Sequence, residues 1–247
     1  STVPAPQPPA SPDCLRFVGS HDLTMDLLAQ QLRAQEDALP LDLKFQGSLG
    51  GLMALARGTA DFAGVHLYDQ ATDSYNRPFV ERILPGQRVA LVTLAYRDLG
   101  LILPTGNPQQ LATIKDLAKP DVIWVNRQAG SGTRVWLDVQ LHESGVTANS
   151  INGYATEKTT HLEVAQAIES GAATAGLGIY AAAVAYGLDF VPLTQEIYQL
   201  VILETVWETA VCQSLFSIIN SDAFKSSIHA LGGYDTTATG ELLWIEP

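Results

Sequence analysis

With 247 residues and 47% hydrophobic content, the chain can bury one large core or two smaller ones, and global disorder is excluded. Fourteen Lys and Arg against 26 Asp and Glu give a formal charge of -12, which repels nucleic acid and anionic membrane at long range, and no basic stripe offsets it. No uninterrupted apolar run approaches the ~20 residues a bilayer span requires.

Residues 1–14 read as a Pro-rich linker, since Ser1 to Asp13 hold five prolines and no apolar periodicity. They lack the charged start and apolar stretch of a signal peptide. The expectation is a cytoplasmic chain with a further domain fused upstream; a removed export signal, with periplasmic or extracellular residence, is the alternative. Cys14 and Cys212 are too few and too far apart for a disulfide framework or a zinc pattern.

From Leu15 the chain alternates strand and helix. Leu15 to Val18 is a short strand that runs through Gly19-Ser20-His21-Asp22 into a helix with Leu23, Leu27, Leu28 and Leu32 on one face. Leu41, Leu43 and Phe45 alternate with polar residues as a strand does, and Gly47-Ser48-Leu49-Gly50-Gly51 opens a helix through Arg57. Asp61 to Leu67 is a third strand, and Asp69 to Arg77 reads as a loop. Val89 to Tyr96 and Leu99 to Leu103 read as two strands broken near Arg97, crossing into a second lobe.

Leu111 to Ala118 is an expected helix. The buried strand Val122 to Val125 then leads into Asn126-Arg127-Gln128-Ala129-Gly130-Ser131-Gly132-Thr133-Arg134, where a helix begins. A helix start leaves N–H groups unpaired and carries partial positive charge, so this loop, with its glycines, hydroxyls and two arginines, is suited to hold an anion. Thr160 and Glu163 have capping-box spacing for a helix over Leu162 to Glu169. Ala173 to Ile179, Tyr180 to Tyr186 and Leu188 to Leu193 repeat strand, helix, strand. Ile197 to Leu203 returns to the first lobe, with hinges expected near Arg97 to Gly100 and Glu196 to Leu200. Helices around Val206 to Ile219 and Asp222 to Leu231 close the chain. Such alternation predicts helix-covered sheets with ligands at strand C-termini.

Phosphate-loop, nucleophile-elbow and His-Glu-x-x-His signatures are absent from the sequence. Gly176-Leu177-Gly178-Ile179-Tyr180-Ala181 matches a dinucleotide fingerprint only loosely, and its glycines are better explained by close packing beside a hinge. His21, His66 and His161 stand at strand ends where they could converge on a cleft, as hydrogen-bonding groups before metal ligands. His142 and His229 fall within helices and are expected to face solvent.

These motifs, together with Ala56-Arg57-Gly58, Tyr75-Asn76, Gly106-Asn107-Pro108, Gly153-Tyr154, Thr159-Thr160-His161, Leu188 to Leu193 and Gly232-Gly233-Tyr234-Asp235-Thr236, make the chain from Leu15 onward resemble a known family. It is similar to the periplasmic-binding-protein-like domain fused to helix-turn-helix regulators and to molybdopterin-biosynthesis proteins. The resemblance implies an α/β type II periplasmic-binding-protein fold: lobe one over 15–97 plus 199–247, lobe two over 98–198, joined by crossover strands around a ligand cleft.

More distantly, the chain resembles secreted tungstate- and molybdate-binding proteins, in which an arginine six residues before the threonine of a Ser-Gly-Thr loop contacts the oxyanion. Arg127 stands six before Thr133, and Ser20 and Ser48 fall at the first-lobe donor positions; His21 departs from the small hydroxyl residue common there. The implied ligand set is Ser20, His21, Ser48, Leu49, Arg127, Ser131, Gly132, Thr133, Thr160 and His161, with no catalytic residue, no cofactor and no protein-ligated metal. The expected function is a non-enzymatic domain that closes on a small anion, tungstate or molybdate foremost, as the sensor of a transcriptional regulator. A receptor of an ABC transporter and a delivery module of molybdenum-cofactor biosynthesis are the alternatives. Neither nucleic acid nor membrane is expected to touch this region.

Overall fold

The computed structural model describes residues 14–35 and 41–247, so the linker expected over 1–14 lies, but for Cys14, outside the described residues. The first strand, β1 (Leu15–Gly19), pairs in parallel with β2 (Leu41–Phe45), and between them runs α1 (Leu23–Arg33). This helix starts where Asp22 accepts the Thr24 N–H at 2.8 Å, and it buries Met25, Leu28 and Leu32 on one face. Next come α2 (Gly47–Ala56) and β3 (Phe62–Val65), the latter pairing with β1.

The segment expected as a loop after β3 holds a small hairpin, β4 (Tyr68–Asp69) with β5 (Ser74–Tyr75), and a short helix, α3 (Arg77–Ile83). Asp69 makes its tight turn by accepting the N–H and hydroxyl of Thr72 at 3.1 and 2.8 Å, a local bond that a polar composition conceals.

The two strands expected on either side of Arg97 are one strand, β6 (Val89–Leu103). It leads to lobe two: a 3-10 turn (Ile114–Ala118), β7 (Trp124–Arg127), α4 (Gly132–Ser144), β8 (Glu157–Lys158), α5 (His161–Glu169), β9 (Ala175–Ile179) and α6 (Tyr180–Ala185). The helix expected over Leu111 to Ala118 shrinks to that 3-10 turn. Asp116 reaches back to the N–H groups of Ala112 and Thr113, and Pro120 prevents extension beyond Lys119.

The return path is likewise a single strand, β10 (Asp189–Leu203), in place of the two expected segments. After it stand α7 (Glu204–Trp207), α8 (Ala210–Asn220) and α9 (Asp222–Ala230), then β11 (Tyr234–Asp235) and β12 (Leu242–Ile245). The helix expected from Val206 to Ile219 is interrupted because Thr209 caps α8, accepting the Cys212 N–H at 3.3 Å.

One sheet runs through both lobes in the order β2-β1-β3-β10-β6-β9-β7-β8, with β11 and β12 also on β6. Strands β6 and β10 are antiparallel along their whole length, from Val89 opposite Leu203 to Leu103 opposite Asp189, and Arg97 faces Glu196 in the middle. Register shifts at Pro192/Thr194 and Tyr198/Gln199 flank that midpoint, where extra local twist turns the ribbon. A large core around Phe17, Leu28, Leu52 and Phe62 fills lobe one and continues into the second through Ile102, Val164, Ile168 and Ala182. A second, around Leu101, Trp124, Leu137 and Leu177, fills lobe two.

The lobes touch across the cleft. Leu49 donates its N–H to the carbonyl of Gly130 at 3.1 Å, and Gln70 reaches Glu143 at 2.7 Å. Glycines permit this approach: a Cβ at Gly132 would stand 2.3 Å from the His66 carbonyl oxygen. Gly132→Ala is therefore expected to hold the lobes apart, raising the radius of gyration in small-angle scattering with little change in the unfolding midpoint. An unchanged scattering profile would show that the contact is soft.

Candidate functional site

Five strand ends deliver polar side chains to the interlobe cleft. Strand β1 supplies Ser20, His21 and Asp22, the start of α2 supplies Ser48, and β3 is followed by His66. From lobe two, the junction of β7 and α4 supplies Arg127 and Thr133, and the start of α5 supplies His161. All of these side chains are buried.

Arg127 is fully buried. Its Nη2 donates to the Thr159 carbonyl at 2.8 Å, while Nε and Nη1 find no partner in the chain, and among the described residues no carboxylate pairs with it. Burial foremost, and then the charge of Arg97, pull its pKa down to about 9. Two buried guanidinium nitrogens left unpartnered cost free energy that an acceptor entering the cleft would recover.

Other unpartnered buried groups among the described residues are Thr133 Oγ1, His21 Nδ1 and both ring nitrogens of His161, whereas the Trp124 indole nitrogen belongs to the lobe-two core. The His21 and His161 ring centroids are 6.1 Å apart. Burial and the charges of Arg127 and Arg97 hold the His161 pKa well below the ordinary histidine value, so its ring is neutral. Ser48 Oγ accepts the His66 N–H at 3.2 Å, which leaves its hydroxyl hydrogen to donate.

Behind these groups lies a closed polar ring. Arg97 Nε donates to Glu196 Oε1 at 2.8 Å, with Nη2 2.6 Å from the same oxygen, and its Nη1 pairs with Asp22, the cap of α1. Glu196 Oε2 is 2.9 Å from His66 Nδ1, and His66 Nε2 is 2.8 Å from Ser20 Oγ. Tyr234 donates to Asp22 at 2.9 Å, and Tyr198 donates to the Ser20 carbonyl at 2.7 Å. Desolvation outweighs Glu196 in setting the His66 pKa, which lies below the ordinary value. The neutral ring then carries its proton on Nδ1 toward Glu196, and the Ser20 hydroxyl donates to Nε2.

The expected ligand set divides accordingly. Ser20, His21, Ser48, Arg127, Thr133 and His161 converge. Ser131 and Thr160 are helix caps whose hydroxyls accept the N–H groups of Arg134 and Glu163 at 3.2 and 3.0 Å, and the buried Ser131 hydroxyl donates to the Gln128 carbonyl at 2.9 Å. The Leu49 N–H is taken by Gly130, and Gly132 serves by its lack of a side chain. Arg134 is held within lobe two by Asp138 and Glu157 at 3.1 and 2.8 Å, over the Tyr154 ring.

Sequence reasoning overlooked Asp22, Tyr198 and Tyr234 and read Arg97 and Glu196 only as hinge markers. The available signal was a charge in the middle of each of two long apolar strands. Among the described residues, no three His, Cys, Asp or Glu side chains are grouped to hold a metal ion. A recess of about 270 Å3 on lobe two, lined by Ile123, Lys158, Glu163 and Gln166 among others, contains none of the convergent groups.

Residues 29–220 match the PBP superfamily domain. The chain belongs to the PBP superfamily. It is 36% identical over 227 residues to an uncharacterized protein, YvgK of Bacillus subtilis, covering 92% of this chain and 73% of that one. Its fold is similar to that of a putative phosphate ABC transporter substrate-binding protein with bound phosphate from Clostridium perfringens. There the TM-score is 0.64 at 14% identity, over 88% of this chain and 97% of the other. A tungstate ABC transporter structure from Geobacter sulfurreducens gives 0.62 at 14% identity, over 90% and 100%. The expected α/β binding-protein fold is thus the observed one.

The neutral histidines of this PBP cleft set a pH dependence. His66 and His161 have folded pKa values below the 6.5 of the free side chain. Below that pH the unfolded chain binds protons that the native chain refuses, so stability falls as pH drops. Asp22 and Glu196, with lowered pKa values, act only in the more acidic carboxylate range. Denaturant unfolding without added ligand should lose stability between pH 7 and 5.5, with about 1 kcal/mol of the loss from His161 and a further share from His66. His161→Gln should lose only the share of His66, and an identical profile in the variant would mean that the native ring is charged.

Proposed function

We propose that this PBP-superfamily chain is a non-enzymatic binding domain that closes on a small oxyanion, with tungstate or molybdate as the leading ligands. The observation that carries the reading is Arg127: a buried guanidinium with two unpartnered nitrogens, no carboxylate partner among the described residues, and hydroxyl and imidazole groups around it. The fold likeness to phosphate- and tungstate-system proteins supports an oxyanion. Each hydrogen bond to a charged group contributes about 1.5 to 3 kcal/mol. Five or six such bonds, after desolvation and closure, are compatible with nanomolar affinity, about -12 kcal/mol.

In this reading the domain is the cytoplasmic sensor of a transcriptional regulator, attached to a DNA-binding domain. An ABC-transporter receptor or a cofactor-delivery module would use the same cleft, and the sequence upstream of Ser1 separates the three. One observation favours a second reading. Ser20, His66 and Glu196 stand in the order of a nucleophilic triad, although Arg97 shares the carboxylate and weakens its support of a charged imidazole. A serine-directed phosphonate that labelled the wild type and spared Ser20→Ala would replace binding by catalysis.

The binding reading is tested by a thermal-shift screen of tungstate, molybdate, sulfate, phosphate and small organic acids, followed by calorimetry. At a hundred times Kd the stabilisation is about 2.7 kcal/mol, several degrees in midpoint for a chain of this size. Arg127→Ala should weaken binding of the best oxyanion by about thirtyfold or more, a loss of ~2 to 5 kcal/mol. Arg134→Ala should weaken it far less, and the unliganded Arg127 variant should keep its stability. Wild-type affinity in Arg127→Ala, or a response to organic acids alone, would sink the assignment.

A further inference from the structure

Four charged side chains are fully buried where the lobes meet: Arg97, Arg127, Asp22 and Glu196. Two guanidinium groups stand against two carboxylates, so their charges cancel. Both carboxylates are engaged, Asp22 by Arg97 and Tyr234, Glu196 by Arg97 and His66. A dianion arriving beside Arg127 brings two negative charges into a volume whose own charges already sum to zero. Charge removed from water without compensation is costly even after relaxation. Tight binding therefore calls for positive charge to enter with the ligand.

The group placed to receive it is His161. It is the first residue of α5, it is fully buried, and neither ring nitrogen has a partner. A neutral imidazole offers one N–H and one lone pair, so only one of these two unpartnered nitrogens can donate at a time. Protonation turns both nitrogens into donors.

The charged and titratable groups around the ring come from four other elements: Arg127 on β7, Arg97 on β6, His21 after β1 and His66 after β3. All of them oppose a further positive charge. On its own helix, Glu163 is turned back to the N–H groups of Thr159 and Thr160, and Glu196 on β10 is taken up by His66 and Arg97. A dianion placed among these groups reverses the sign of the field that keeps the ring neutral. His66 is less suited because both its nitrogens are partnered, and His21 has one open nitrogen, with Asp26 3.8 Å from the other.

We infer that the cleft captures its oxyanion together with a proton, and that His161 holds that proton against the bound anion. The inference rests on the oxyanion reading and narrows it. His161 becomes a specificity-determining residue: with its proton, a dianion leaves the buried volume at the same net charge as a singly charged ion does without one. Affinity for tungstate, which remains a dianion near neutral pH, then rises about tenfold for each unit of falling pH while the ring is neutral in the free protein and charged in the complex.

The test is titration calorimetry with sodium tungstate at pH 7.5 in buffers of differing ionisation enthalpy. The slope of observed enthalpy against buffer ionisation enthalpy counts the protons taken up. About one is expected for the wild type. His161→Gln keeps an amide donor but cannot titrate; its slope should fall to near zero, and its affinity should lose the pH dependence. Tungstate binding with zero slope in the wild type overturns proton capture, a result that needs no variant to fold. A slope near one in His161→Gln overturns the assignment to His161. Absence of binding by tungstate, molybdate, sulfate and phosphate alike would instead remove the oxyanion reading on which the inference stands.

Discussion

The molecule depends on the ion pairs made by Arg97. Its guanidinium sits at the midpoint of β6, faces Glu196 at the midpoint of β10, and reaches Asp22 at the start of α1. One buried cation thereby joins both crossover strands to the first helix of lobe one. A buried charge is tolerable only when paired and hydrogen-bonded, and losing one partner of such a pair typically costs about 3 to 5 kcal/mol. The same carboxylates fix the Ser20 and His66 side chains, so the frame that holds the lobes and the frame that orients the cleft are one set of bonds.

Arg127 is the contrasting case. Both arginines are fully buried, yet Arg97 has its pKa raised, Glu196 and Asp22 overcoming desolvation, whereas Arg127 has its pKa depressed. The difference is the carboxylates that the chain supplies to one and withholds from the other. An unpaired buried guanidinium costs stability, and under the proposed function a ligand supplies what Arg127 lacks in partners.

Much of this was legible in the sequence, because much of it is local. The Gly-Ser-Gly-Thr junction at 130–133, the strand-to-helix turns at Ser20 and Ser48, and the strand-end positions of His21, His66 and His161 follow from spacing within a few residues. What was illegible is non-local. Arg97 finds Glu196 across 99 residues and Asp22 across 75, and without those partners an arginine inside an apolar run reads as the end of a strand. Ser131 and Thr160 show a different limit: a hydroxyl at a helix start is a donor candidate and a cap at once, and only geometry shows that capping has claimed it.

The pairing of Arg97 with Glu196 also bears on how residues 98–195 are attached. Residues 98–195 leave the first lobe's sheet and rejoin it at neighbouring points on adjacent antiparallel strands, so the whole excursion hangs from the rest of the chain by two closely spaced threads. Arg127, Thr133 and His161 all lie on that excursion. Asp22, Arg97 and Glu196, which hold the threads in place, lie at or outside its ends. The excursion thus carries three of the six convergent cleft groups, and Ser20, His21 and Ser48 stay with the remainder, so the two threads set how the two halves of the cleft meet.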